Sequence, residues 1–306
     1  MKKAIFLAAI AIAMVACNPK GNENTQDADT APRKVFIPSG VPTAPVPNLD
    51  QTPIAPVSVS ANGQGVDPNA PVLKIEEGKP LDLSQLMGGQ KKSLGQVAAE
   101  MIDSIQHMAE SGDAEFEYFY GGCFNEGWGV EVDYVEAMKW YKKAAEKNQK
   151  YSFNAIGNLY RIGNGVEADP KLAFEWYNKG VNVKDPQAML NLGNCYYYGI
   201  GAEKNLDKAI KLWEDAATYG NAYAEAQLGD CYFYGMGVEK SIDKAVEHLT
   251  KAADQGVPGA QYRLGILYYA GQGVKQDLAR SEMLMKKARD GGMQEAQDFL
   301  DKQFKK

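Results

Sequence analysis

The sequence predicts an all-α protein, a solenoid of stacked helix-turn-helix units. The prediction rests on glycines that recur at one fixed interval and on a helix-start residue that recurs in phase with them. One glycine series runs Gly121, Gly157, Gly193, Gly229, Gly265, each step being 36 residues. A second, Gly127, Gly163, Gly199, Gly235, Gly271, and a third, Gly129, Gly165, Gly201, Gly237, Gly273, keep the same interval. Fixed periods of this size belong to helical hairpins that cannot bury an apolar face alone and therefore stack.

The first helix of each unit, helix A, precedes the paired loop glycines. In the fifth copy Ala260, Leu264 and Tyr268 sit four apart and share one helix face. Gly265 lies in the middle of that helix, where glycine costs about 1 kcal/mol relative to alanine. Its recurrence implies an approach between helices too close for a Cβ. Gly271 and Gly273 then end the helix and allow positive φ in the turn.

The second helix, helix B, opens four residues after the second loop glycine. Its first slot holds Asp133, Asp169, Asn205, Ser241 and Asp277, all side chains that accept from free helix-start amides. Pro170 follows Asp169 at the first helical position, where proline fits. Helix B carries Ala137, Ala173, Ala209, Ala245 and Ser281 in a small slot. Its bulky slot holds Trp140-Tyr141, Trp176-Tyr177, Leu212-Trp213, His248-Leu249 and Leu284-Met285. Small residues facing large ones let neighbouring helices interlock.

The periodic region spans residues 94–304. It consists of a half-repeat over 94–112, full repeats over about 113–148, 149–184, 185–220, 221–256 and 257–292, and a terminal half-repeat over 293–304. Atypical ends of this kind cover the terminal faces of a solenoid. Residues 17–93 read as a disordered tether: 11 of the 14 prolines lie between Asn18 and Gln90, too little apolar content to offset the ordering entropy. Residues 1–16 read as a signal peptide, with Lys2 and Lys3 before the apolar run Ala4 to Val15. Met14-Val15-Ala16-Cys17 resembles a bacterial lipobox, which implies lipidation of Cys17 and a lipid-anchored place in the bacterial cell envelope, facing the periplasm or the outer surface. Cleavage there would remove Lys2 and Lys3 and no acid, taking the net charge from −6 to −8.

That acidic balance gives no footprint for nucleic acid. His107 and His248 are the only histidines, which leaves no multi-histidine metal site. Cys123, Cys195 and Cys231 each fall two residues after the mid-helix glycine, where Leu159 and Leu267 stand in the other copies, so the slot is a core slot. Equivalent positions in adjacent units lie on the order of 10 Å apart, against the roughly 7 Å between Cα atoms that a disulfide bridges. Buried thiols are favoured, and a disulfide between some pair stays open. The repeated Gly-x-Gly follows a helix rather than a strand and lacks the third glycine of a nucleotide loop. No catalytic arrangement stands out, and the sequence predicts neither enzyme activity nor a cofactor.

The motif Ala-x-x-x-Leu-Gly-x-x-Tyr-x-x-Gly-x-Gly-Val, as in Ala224 to Val238 and Ala260 to Val274, resembles the Sel1-like repeat, as does Trp-Tyr-Lys-Lys-Ala-Ala at Trp140 to Ala145. Copy one departs from it with Phe116 and Tyr120, and copy three has Ala202 for the loop valine. The resemblance implies a right-handed α-solenoid related to TPR arrays, with adaptor and scaffold roles in the bacterial envelope. It places helix A on the concave side and maps a groove for a protein or peptide partner onto Asn158, Arg161, Asn194, Tyr197, Asp230, Phe233, Tyr262 and Tyr269. Tyrosines beside amides offer rigid area with a hydrogen-bond handle. The same rings could instead pack between adjacent A helices. A peptidoglycan- or glycan-binding module is the alternative function, and a cell-wall or β-lactam hydrolase a more distant one.

Overall fold

The computed structural model describes residues 94–304, and helices are the only regular elements among them. Residues 1–93, with the signal peptide, lipidated Cys17 and tether expected there, lie outside the described residues. In chain order the helices are α1 (Leu94–Glu110), α2 (Ala114–Glu126), α3 (Tyr134–Glu146), α4 (Ser152–Ile162), α5 (Pro170–Asn182) and α6 (Pro186–Tyr198). They continue with α7 (Leu206–Thr218), α8 (Ala222–Tyr234), α9 (Ile242–Asp254), α10 (Pro258–Ala270), α11 (Leu278–Asp290) and α12 (Gln294–Gln303). Even-numbered helices are of type A and odd-numbered ones of type B. In each full repeat the A helix packs on the B helix of its own unit, and that B helix packs on the A helix of the next. None of the described helices is long and apolar enough to cross a membrane.

The hairpin follows from its caps. Helix A ends on an αL glycine: the Gly199 N–H donates to the Cys195 carbonyl, and Gly127, Gly163, Gly235 and Gly271 repeat the arrangement. Asp133, Asp169, Asn205, Ser241 and Asp277 then cap the B helices, each side chain accepting from first-turn amides. The backbone N–H of each capping residue reaches back to helix A, Asn205 to the Tyr196 carbonyl at 2.8 Å and Asp169 to Tyr160 at 2.8 Å. Helix B ends in a Schellman turn, with the Asn221 N–H on the Ala216 carbonyl and Gly220 at φ +81°. In two copies the αL position falls to Asn148 and Lys184 instead of glycine.

Packing explains the glycine series. A Cβ on Gly157 would stand 2.6 Å from Tyr177 Cε1, and one on Gly193 2.6 Å from Trp213 Nε1. The bulky member of helix B thus lies directly on the bare backbone of helix A. In the loop, Gly201 has φ +71° and presses on Pro170 at the start of the previous B helix, where a Cβ would collide with the Pro170 carbonyl oxygen. The small slots complete the interlock, with Ala137, Ala173, Ala209, Ala245 and Ser281 fully buried. Cys123, Cys195 and Cys231 are buried as well, and burial pushes each thiol up to about 12.

A few polar groups sit inside this packing. Asp185 caps α6 through the Gln187 N–H, is 0% exposed, and leaves Oδ2 without a hydrogen-bond partner. Burial raises its carboxyl to about 6. Glu225 and His248 meet at 2.6 Å in the place where the second unit stacks Phe153 on Trp176. The His248 ring also lies parallel to Tyr232, with centroids 5.4 Å apart.

Gly193→Ala gains helix propensity yet must displace Trp213, and the net loss of stability should be about 1–2 kcal/mol in urea unfolding; an unchanged midpoint would refute the close contact. For Asp185 the folded state holds a proton more tightly than the unfolded chain, whose aspartates titrate near 3.9. Stability from this group is therefore full below about pH 4 and lost as pH rises past about 6. Asp185→Asn, which keeps the cap, should raise the melting temperature at pH 8 and converge on the parent near pH 4.

Candidate functional site

Successive A helices approach closely enough for direct side-chain contact, and these joints build the candidate surface. At two joints the residue after the mid-helix glycine meets the residue two before that glycine in the next unit. At the joint between α4 and α6, Asn191 Nδ2 donates to Asn158 Oδ1 at 3.4 Å and to Asn154 Oδ1 at 2.8 Å. Asn158 Oδ1 also accepts from the Tyr177 hydroxyl at 2.7 Å. At the joint between α8 and α10, Arg263 Nε lies 2.6 Å from Asp230 Oδ1, and Arg263 Nη1 donates to the Tyr234 hydroxyl at 3.1 Å. Burial raises the Asp230 carboxyl to about 6, with the Arg263 guanidinium pulling the other way.

The joint between α6 and α8 differs. Asn194 is 5% exposed and its Oδ1 has no hydrogen-bond partner. Gln227, at the repeat position equivalent to Asn191 and Arg263, is half-buried.

The eight groove candidates therefore fall into separate settings. Asn158 and Arg161 gather at Tyr177, where the Arg161 guanidinium opposes the upward push of burial on the phenol. Asn194 Oδ1 is buried without a hydrogen-bond partner and Asp230 is ion-paired. The Tyr197 ring lies 5.4 Å from Trp213 and its hydroxyl meets Met236 Sδ at 3.2 Å. Phe233 packs against the core around Leu264 and Leu267, edge-on to Tyr234 at 4.8 Å. Tyr262 lies against Met285 and Leu300 of the terminal cluster. Tyr269 donates to Gln303 Oε1 at 2.6 Å and meets Phe299 at 5.2 Å. The register four after the glycine thus packs largely between neighbours.

Two registers missed by sequence reasoning complete the surface. Asn191, Gln227 and Arg263 stand two before the glycine. Ile162, Tyr198 and Tyr234 stand five after it, with Ile162 44% and Tyr234 38% exposed and Tyr198 half-buried. Both are one helical turn from the Asn158, Asn194, Asp230 register, at i−3 and i+4. A helical wheel centred on those asparagines would have found them. Among the described residues no group of three or more His, Cys, Asp or Glu could hold a metal ion.

The Sel1 repeat family model matches residues 114–149, 154–182, 186–221, 222–257 and 258–293. Among solved structures, a Sel1 repeat protein from Oxalobacter formigenes superposes with a TM-score of 0.61 at 29% identity, over 67% of this chain and 90% of that one. A protective antigen of uropathogenic Escherichia coli strains displaying an SLR fold gives 0.58 at 29% identity, over 71% of this chain. The chain spans 47% of that antigen's length. No curated protein matches. The repeated caps, the bare-backbone glycines and the five matched units place this chain in the Sel1 repeat family, whose helical stacks are typically non-catalytic scaffolds for protein–protein interaction.

Proposed function

We propose that this chain is a non-catalytic adaptor of the bacterial cell envelope, anchored by lipid on Cys17 and holding a partner protein along its A-helix face. The observation that carries the reading is the row Ile162, Tyr198, Tyr234, with Ile162 and Tyr234 open to solvent and Tyr198 half-buried, one turn beyond a row of amides. Aromatic area next to hydrogen-bonding groups is the composition of interface hot spots. The A-helix row is polar but nearly uncharged, since Asp230 and Arg263 neutralise one another, which suits a neutral partner surface. The anchor rests on the Met14-Val15-Ala16-Cys17 sequence, and the long stretch over 17–93 would let the scaffold stand off from the bilayer.

A photo-crosslinking amino acid placed at Tyr198 or Tyr234 in living cells should give a discrete crosslinked protein species. The same group at Lys211, exposed on α7, should give none; equal crosslinking from both faces would refute the assigned surface. Metabolic labelling with a palmitate analogue should mark the parent chain and leave Cys17→Ala unlabelled. Label retained by that variant would remove the anchor from the reading.

A further inference from the structure

The five full A helices carry only two cations, Arg161 and Arg263. Arg263 lies on Asp230 at 2.6 Å, whereas Arg161 has no ion pair among the described residues and is half-buried. A half-buried guanidinium loses part of its hydration, and a carboxylate within reach is the usual compensation. In the equivalent place the later units carry rings, Tyr197, Phe233 and Tyr269, which fill the joint without charge. On α4 the acceptors beside Arg161 are already used. The guanidinium donates to the Tyr177 hydroxyl, and that hydroxyl donates to Asn158 Oδ1 at 2.7 Å. Asn191 Nδ2 donates to both Asn154 Oδ1 and Asn158 Oδ1. What remains open on α4 is a set of donors: Nδ2 of Asn154, Nδ2 of Asn158 and the other N–H groups of Arg161. Neither amide nitrogen has an acceptor among the described residues, and neither is sealed from solvent.

We propose that Arg161, with the Asn154 and Asn158 amides, receives one Asp or Glu side chain from an extended partner segment lying across the A-helix row. The inference rests on the adaptor reading and adds the acidic anchor of the segment that is read. Charge selects a carboxylate, because one cation matches one negative charge, whereas a phosphate carries nearly two. A planar guanidinium also meets a carboxylate through two parallel bonds. The preceding unit makes the acid an internal residue rather than a chain end. Glu126 on α2 is equivalent to Ile162, the residue after Arg161. It is half-buried, takes a bond from Asn125 Nδ2 at 2.6 Å, and has no cation among the described residues. Its carboxylate favours a basic residue and repels a terminal carboxylate, so the segment runs on past Arg161. Neighbouring A helices lie about 8–10 Å apart, and extended chain rises about 3.3 Å per residue, so successive units read every third residue. The segment therefore carries a basic residue three places from the acid, on Glu126. On the other side it carries apolar residues three and six places away, on Tyr198 and Tyr234. Its two charges cancel, in keeping with the balance of Asp230 and Arg263.

The test pans two random peptide libraries against the full chain, one with both peptide ends joined to the display protein and one with a free C-terminus. Sequences enriched from the first are remade with blocked ends and measured by fluorescence anisotropy. An acid with apolar residues three and six places away is expected. Arg161→Gln should weaken binding about tenfold, as should replacing the peptide's acid by its amide. The two changes together should cost little more than either alone, since both remove one pair. Arg161→Glu should bind the peptide carrying Lys in place of its acid better than the parent does, an exchange that a merely structural arginine would not produce. The peptide change leaves the protein untouched, so the result holds even where Arg161→Gln loosens the stack. Peptides that depend on Tyr198→Ala and Tyr234→Ala yet ignore Arg161→Gln and the loss of their acid would overturn the anchor and leave the adaptor surface standing. Enrichment indifferent to every A-helix substitution would overturn both. Enrichment from the second library alone, lost on amidation and on Arg161→Gln, would assign Arg161 to a chain terminus and overturn the internal acid. Cell-wall fragments bearing muramic acid, held by the parent and released by Arg161→Gln with no peptide enriched, would assign it to a glycan and overturn the anchor.

Discussion

The structure depends on one contact repeated five times: a bulky side chain of helix B laid on bare glycine backbone of helix A. Tyr141, Tyr177, Trp213, Leu249 and Met285 occupy the place that a Cβ on Gly121, Gly157, Gly193, Gly229 or Gly265 would need. The contact sets the separation of the two helices in each unit, and five copies of it give five similar hairpins. The paired loop glycines then do different work. One ends helix A in the αL region, and the other lets the turn press against the preceding B helix, as Gly201 does on Pro170. Small residues such as Ala173 and Ala209 fill what remains. Stability of such a stack is approximately a sum of units and their neighbour interfaces, so close fit at each joint has to be repeated rather than concentrated in one core.

Because helix A spends one face on its own helix B, its remaining surface is free to vary between units. The joint positions show this directly. The same pair of slots is small in the first copies, bonded amide in the next, open amide after that, then an ion pair, and finally apolar where Ile266 and Phe299 join the terminal cluster. Function is grafted on a scaffold whose fold it does not determine. The buried polar contacts on the other side of helix A vary in the same manner, Glu225 with His248 standing where Phe153 stacks on Trp176.

The periodic features were legible because each depends on the backbone or on a local side chain. Asp133, Asp169, Asn205, Ser241 and Asp277 cap helices through bonds to amides two or three residues away, and such bonds need no distant partner. Gly157 and Gly193 announced a close approach without naming the neighbour, yet the bulky slot on helix B supplied it. The candidate surface was less legible. Tyr197, Phe233 and Tyr269 look on a helical wheel like a free aromatic track, and the structure packs them against Trp213, the Leu264 core and Phe299. Ile162 and Tyr234, one residue further along, are the ones left open.

The amino-acid sequence by itself determined that this is a helical stack, where the B helices start and the A helices stop, and which positions carry no side chain. Those properties follow from φ/ψ preferences, capping chemistry and a period that any stretch of chain can display alone. Only the tertiary structure decided which polar side chains across the joints find partners. That outcome depends on contacts between residues some 33 positions apart, such as Asn158 with Asn191 and Asp230 with Arg263. The lateral offset between adjacent A helices, which neither helix encodes alone, makes a bond at one joint and leaves Asn194 unpaired at the next.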